Sequence, residues 1–145
     1  MKRLLCSIAF GLAAANPSLA CTVPKPFKLS ILRSAEVVIR AKVVGYTPAT
    51  FGRSVLELDT IESLTGTFKH VKHWTATWVH ATGRDEWARS AQVIVGLRAV
   101  IDRDGVPVIE IVDDVCRGPS ILDDTPENLN SVMDLLREPP AKQLR

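Results

Sequence analysis

Asp104-Gly105, set between two apolar runs, constrains the fold of this chain more than any other feature. An Asp-Gly pair readily takes the backbone angles of a tight hairpin turn, so the runs beside it are read as adjacent antiparallel strands. Those runs cover residues 92–101 and 107–115, and the second leads directly into Cys116. A two-stranded hairpin is marginal by itself in water, so other strands must cover it. Three candidates lie upstream. Residues 36–46 are rich in β-branched side chains (Val37, Val38, Ile39, Val43, Val44), and residues 54–61 and 71–79 alternate apolar with polar. Thr47-Pro48 and Phe51-Gly52 are expected to break the first strand, and Gly66 to end the second segment. Five strands with short breaks predict a mainly β chain, folded as a small antiparallel barrel or sandwich.

Helical signals flank this β region. Phe27, Leu29, Ile31 and Leu32 predict one or two helical turns over residues 27–33. Near the other end, Thr125-Pro126-Glu127 supplies a cap residue, a proline at the first helical position and an early acid. Leu129, Val132, Met133, Leu135 and Leu136 follow at helical spacing and should pack against the sheet. This helix is expected to end near Glu138, before Pro139-Pro140. Between Cys21 and the first turn, residues 22–28 contain Pro24, Pro26 and two lysines and read as an extended arm.

Residues 1–20 have the pattern of an export signal. Lys2 and Arg3 precede an apolar run over residues 4–15, Asn16-Pro17 ends it, and Ser18 and Ala20 form a small-x-small cleavage site. That run is too short to span a bilayer, which takes about 20 apolar residues. Cleavage after Ala20 would make Cys21 the first residue. It would also remove Cys6, leaving Cys21 and Cys116, which in an oxidising compartment most simply form one disulfide. Such a bridge closes nearly the whole domain, with a chain-entropy contribution of about 4–5 kcal/mol. Loss of Lys2 and Arg3 takes the formal net charge from +2 to neutral. A neutral domain has no basic footprint for nucleic acid, so none is expected as a partner.

Other chemistry is weakly encoded. His70 and His80 would share a strand face but lie about 33 Å apart, with His73 on the other face, so no metal site of the chain's own is expected. Trp74, Trp78 and Trp87 read as aromatic packing, with a partner-binding surface patch as the alternative. Asp113-Asp114 and Asp123-Asp124 lack the spaced oxygen loop of a calcium site and read as solvated charge. There is no Gly-x-Ser-x-Gly, His-Glu-x-x-His or phosphate-binding glycine loop, so neither enzymatic activity nor a cofactor is expected.

Two stretches carry a family resemblance. Cys21-Thr22-Val23-Pro24, followed by the strand Ser34-Ala35-Glu36-Val37-Val38-Ile39-Arg40-Ala41-Lys42-Val43-Val44-Gly45, resembles the start of the tissue inhibitors of metalloproteinases. The hairpin about Asp104-Gly105, ending in Val115-Cys116, is similar to the strand pair by which that family returns a cysteine to its N-terminal arm. The resemblance covers roughly residues 21–120. It implies a netrin-like domain: a five-stranded OB-fold-like antiparallel barrel with a short N-terminal helical turn and a C-terminal helix. By this likeness, Cys21 would chelate the catalytic zinc of a target protease through its α-amine and carbonyl oxygen. Thr22 would enter the specificity pocket, and Val23 and Pro24 would extend the contact with the protease. The chemistry is consistent: a catalytic zinc keeps a position open for water, and two donors held on one residue can displace that water.

The chain departs from the family pattern at several points. Val23 stands where the second cysteine is expected, and it is this second cysteine that pairs with the returning one in the family. Here Cys116 has Cys21 as its expected partner. The family's disulfide-rich C-terminal subdomain has no counterpart, which gives the look of a minimal bacterial relative. The expected organisation is a signal over residues 1–20, a netrin-like domain over 21–122, and a helix with its tail over 123–145, secreted or periplasmic. The competing reading is a non-inhibitory extracytoplasmic interaction module, anchored in the membrane by lipid on Cys21. Lipoprotein sorting normally has an aliphatic residue three before the cysteine, where this chain has Ser18.

Overall fold

Long strands that bend are what close this sheet. In a computed structural model, which describes residues 27–50, 52–66, 68–79, 87–114 and 118–139, β1 (Val37–Thr50) and β2 (Arg53–Thr65) form an antiparallel hairpin. Their register shifts at four places, including between Val43 and Gly45. Each irregularity adds bend and twist, which a sheet of few strands needs in order to close on itself. Pro48 does not end β1 as expected. The pairing of β1 with β4 (Gln92–Ile101) stops at Lys42, so Pro48 sits where, among the described residues, one edge of β1 has no strand to receive an N–H.

Next come β3 (His73–Val79) and β5 (Pro107–Ile111). The order around the sheet is β1-β2-β3-β5-β4, and pairing of β4 with β1 closes the ring. The result is a five-stranded, OB-fold-like barrel, mainly β, with a short 3-10 turn (Leu29–Ser34) before it and helix α1 (Pro126–Arg137) after it. Every junction is antiparallel except β3–β5, which is parallel and registers through Ala76↔Ile109 and Thr77↔Glu110. The strand expected to run unbroken to Val115 stops at Ile111. Two-residue strands β6 (Asp113–Asp114) and β7 (Gly118–Pro119) then form a side hairpin, and β8 (Ile121–Asp123) resumes pairing with β4. β5 and β8 therefore lie end to end along one side of β4, with the hairpin as an excursion between them.

Strand periodicity explains the two cores. Val37, Ile39 and Ala41 of β1 and Val93, Val95 and Leu97 of β4 point inward, where they meet Leu56, Leu58, Trp74 and Ala76. Val38 and Ile94 point outward, yet both are fully buried because Leu32 of the 3-10 turn and Val132 of α1 cover them. β1 and β4 are thus apolar on both faces where they are covered, which accounts for the runs Val37-Val38-Ile39 and Val93-Ile94-Val95. At Gly96 the outer layer crosses β4 closely: a methyl group there would lie 2.9 Å from Ser120 Oγ and 3.0 Å from a Leu32 methyl. The helix begins as the sequence predicts, with Thr125 accepting from the Asn128 amide at 3.2 Å. Its far end is tied down by Arg33, which donates to the Leu135 and Pro139 carbonyls and pairs with Glu138 at 2.9 Å. Among the described residues no helix is long and apolar enough to cross a membrane.

Candidate functional site

The residues expected to carry function, Cys21, Thr22, Val23, Pro24 and the Cys21–Cys116 pairing, lie outside the described residues. What the fold fixes is the ground on both sides of them. Phe27, near the end of the arm, is its first described residue, and Gly118 is the first after Cys116. Both line one half-open cavity of about 350 Å³. Its remaining wall is Arg89, Pro119, the three residues of β8 and Asn128 of α1.

Hydrogen bonds organise this wall. In an antiparallel ladder successive residues direct their backbone groups to opposite edges. The Asp124 amide donates to the Gln92 carbonyl at 3.0 Å, and Ser120 accepts from the Gly96 amide at 3.1 Å. The even-numbered residues of this stretch therefore face β4, and Ile121 and Asp123 face the cavity. Their two carbonyls are already engaged. Arg89 donates to Ile121 O at 2.8 Å, while the Asn128 side-chain amide and the Thr125 backbone amide donate to Asp123 O, each at 2.9 Å. Among the described residues no strand pairs this outer edge of β8.

Beside the cavity, Asp124 corrects the expectation of solvated charge. Its side chain is 2% exposed and receives both the Nε and Nη2 donors of Arg40, at 3.1 and 3.0 Å. Arg40 also pairs with Glu62 of β2 at 2.9 Å. The hydrogen bonds Arg40 donates to Asp124, then to Glu62, hold its guanidinium above its ordinary value. The sequence signal was a lone arginine in a strand apolar on both faces, since a charge in that setting needs a partner. Asp113 and Asp114 are half-buried in the side hairpin, and Asp123 is exposed.

The tryptophans do not form a surface patch. Trp74 is 7% exposed inside the barrel and donates to Thr60 Oγ1 at 3.0 Å, with Phe68 edge-on to its ring. Trp78 and Trp87 are half-buried against the same core, and Trp87 tilts against Tyr46 at 5.8 Å between centroids. His73 is exposed and meets Asp59 at 2.8 Å, His70 is exposed, and His80 lies outside the described residues. β3 is not an edge strand; β2 and β5 pair with its two sides. Among the described residues no group of three or more His, Cys, Asp or Glu is placed to hold a metal ion. Neither a protein-family model nor a curated protein matches the chain.

Proposed function

We propose that this protein is an exported inhibitor of zinc metalloproteases, a minimal netrin-like relative of the tissue inhibitors of metalloproteinases that acts through a mature N-terminal Cys21. The observation that carries this reading is the shared cavity: the root of the arm at Phe27 and the flank of Cys116 at Gly118 meet on one face of the barrel. An extended chain covers roughly 3.3 Å per residue, so Cys21, six positions before Phe27, has about 20 Å in which to reach Cys116. A bridge there would anchor the arm beside the barrel and lower the entropy lost when it enters a protease cleft. The α-amine and carbonyl oxygen of Cys21 would replace the zinc-bound water, and Thr22 would enter the neighbouring pocket. The protein itself then needs neither a metal nor a catalytic group.

The test is inhibition of a panel of zinc proteases by protein whose first residue has been verified by mass spectrometry as Cys21. Inhibition is expected, and one alanine added before Cys21 should remove it by displacing the amine. A verified Cys21 terminus that inhibits none of the panel would sink the proposal. A diacylglyceryl adduct on Cys21 would instead establish the lipid-anchored module, because lipid on Sγ removes the thiol needed for the bridge to Cys116 and holds this terminus at the membrane.

A further inference from the structure

Exposed apolar side chains are not spread evenly over this barrel. Among the described residues the large ones exposed are Val44, Ile61, Phe68, Ile101 and Val106, and all but Val44 gather at one mouth. The registers place them there. Asp59 of β2 pairs with His73, the first residue of β3, and the Thr60 amide, next to Ile61, carries that ladder on to the Lys72 carbonyl. β3 and β5 run parallel through Ala76↔Ile109, so their starts lie side by side. Pro107, which follows Val106, pairs with Ile101 across the β4–β5 hairpin. Phe68 stands edge-on to Trp74, the second residue of β3.

The β4–β5 hairpin also overruns the barrel. Leu97, Ala99 and Ile101 share the inward face of β4. Leu97 is fully buried, Ala99 is exposed and Ile101 is 66% exposed. The stripe that fills the core therefore runs on into water. Single exposed apolar residues are ordinary, whereas a gathered group marks a contact surface.

Charge identifies the occupant. The β2–β3 connection carries Lys69 and Lys72 and, over residues 68–72, no acid. The turn after β4 carries Asp102, Arg103 and Asp104 and is net negative. Among the described residues Lys69, Lys72 and Asp104 have no ion-pair partner in their own chain. One mouth thus holds an apolar group together with a basic loop and an acidic turn. A two-fold rotation lays the basic loop of one copy on the acidic turn of another.

We propose that this mouth is a self-docking surface. Two copies meet about a two-fold axis, Lys69 and Lys72 of each facing Asp104 of the other, with Ile61, Phe68, Ile101 and Val106 between them. So few side chains make a small interface, in the class below about 1,200 Å² in total, and the dimer forms and parts with concentration. None of these residues lines the cavity at Phe27 and Gly118, so the surface does not depend on the inhibitor reading.

Sedimentation equilibrium of the protein isolated from an expressing bacterium tests it. Between about 10 µM and 1 mM, the range of a weak association, the average mass should climb from one copy toward two. Lys69→Glu/Lys72→Glu should weaken the dimer by about tenfold or more, and so should Ile101→Ser. Adding Asp104→Lys to the double variant sets opposite charges face to face again and should restore most of the lost affinity. That rescue separates a lost charge pair from a damaged fold. A one-copy mass throughout overturns the proposal, as does a double variant that associates like the parent or a triple variant that stays monomeric. A monomeric parent that binds phosphatidylglycerol vesicles also overturns it, and would assign the mouth to a membrane surface.

Discussion

Arg40 illustrates how much a single residue can organise here. It leaves the outer face of β1, grips the nearly buried Asp124 with two donors and reaches Glu62 on β2, joining two strands to the segment that starts α1. Asp124→Asn keeps the size but removes the charge, leaving a half-buried guanidinium with a weaker partner. Breaking a buried pair costs about 3–5 kcal/mol, and with Arg40 a quarter exposed and Glu62 still available we expect about 1–3 kcal/mol. Urea denaturation should show a lower midpoint at unchanged slope. The pH sign follows from the raised value of Arg40. A cation whose folded value is raised contributes fully below its unfolded value, which for a guanidinium is far into the alkaline range, and loses that contribution only as pH rises past the folded one. The guanidinium's share of stability is therefore constant through mildly alkaline solution. In Arg40→Lys the same contribution should fade near pH 10–11, about where a lysine titrates. A variant and parent that lose stability in parallel between pH 9 and 11 would contradict this.

Among the elements, those governed by local chemistry were the most legible in the sequence. The hairpin at Asp104-Gly105 forms as read, Gly105 having a positive φ of 79° and Asp102 accepting from the amides of Asp104 and Val106. β4 matches its expected bounds, and α1 starts at the residue its cap dictates. Thr125→Ala should destabilise the protein by about 1 kcal/mol through loss of that cap. Thermal unfolding should show a drop of a few degrees, with the helical circular-dichroism signal retained below the transition. Elements that depend on distant partners were less legible. Pro48 reads as a breaker until one knows that β4 has already left that stretch of β1. The interruption after Ile111 is invisible locally, because Val112 donates to Gly96 and accepts from Ser120, handing the ladder from β5 to β8. Asp124 read as solvated for the same reason: its neighbours in sequence are polar, but its neighbour in space is Arg40.

For the molecule as a whole, the five strands and flanking helical pieces were in the sequence, but ring closure through β1–β4 and the parallel β3–β5 seam were not. Both join segments that are distant in the chain, which periodicity does not report. The candidate site was legible as chemistry and not as geometry: Cys21, Thr22 and Cys116 could be named, whereas the cavity shared by Phe27 and Gly118 is assembled from Arg89, β7, β8 and α1. If Cys21 and Cys116 are bridged, a reducing agent should lower stability by up to about 4 kcal/mol. Cys116→Ser protein should show the lower melting temperature from the start and ignore the reductant. Equal melting of the parent with and without reductant would exclude a stabilising bridge.

β4, buried on both faces and paired to three other strands, also sets a timetable. The β1–β2 and β4–β5 hairpins have short connections and little loop entropy to overcome, whereas β4 must find β1 across the whole of β2, β3 and the segments joining them. Until it does, the stretch from Val93 to Leu97 is adhesive on both faces, with its edge toward β1 open. The strand that completes the barrel is therefore also the one at which a nascent chain is most exposed to aggregation, and the segment a chaperone would have reason to hold.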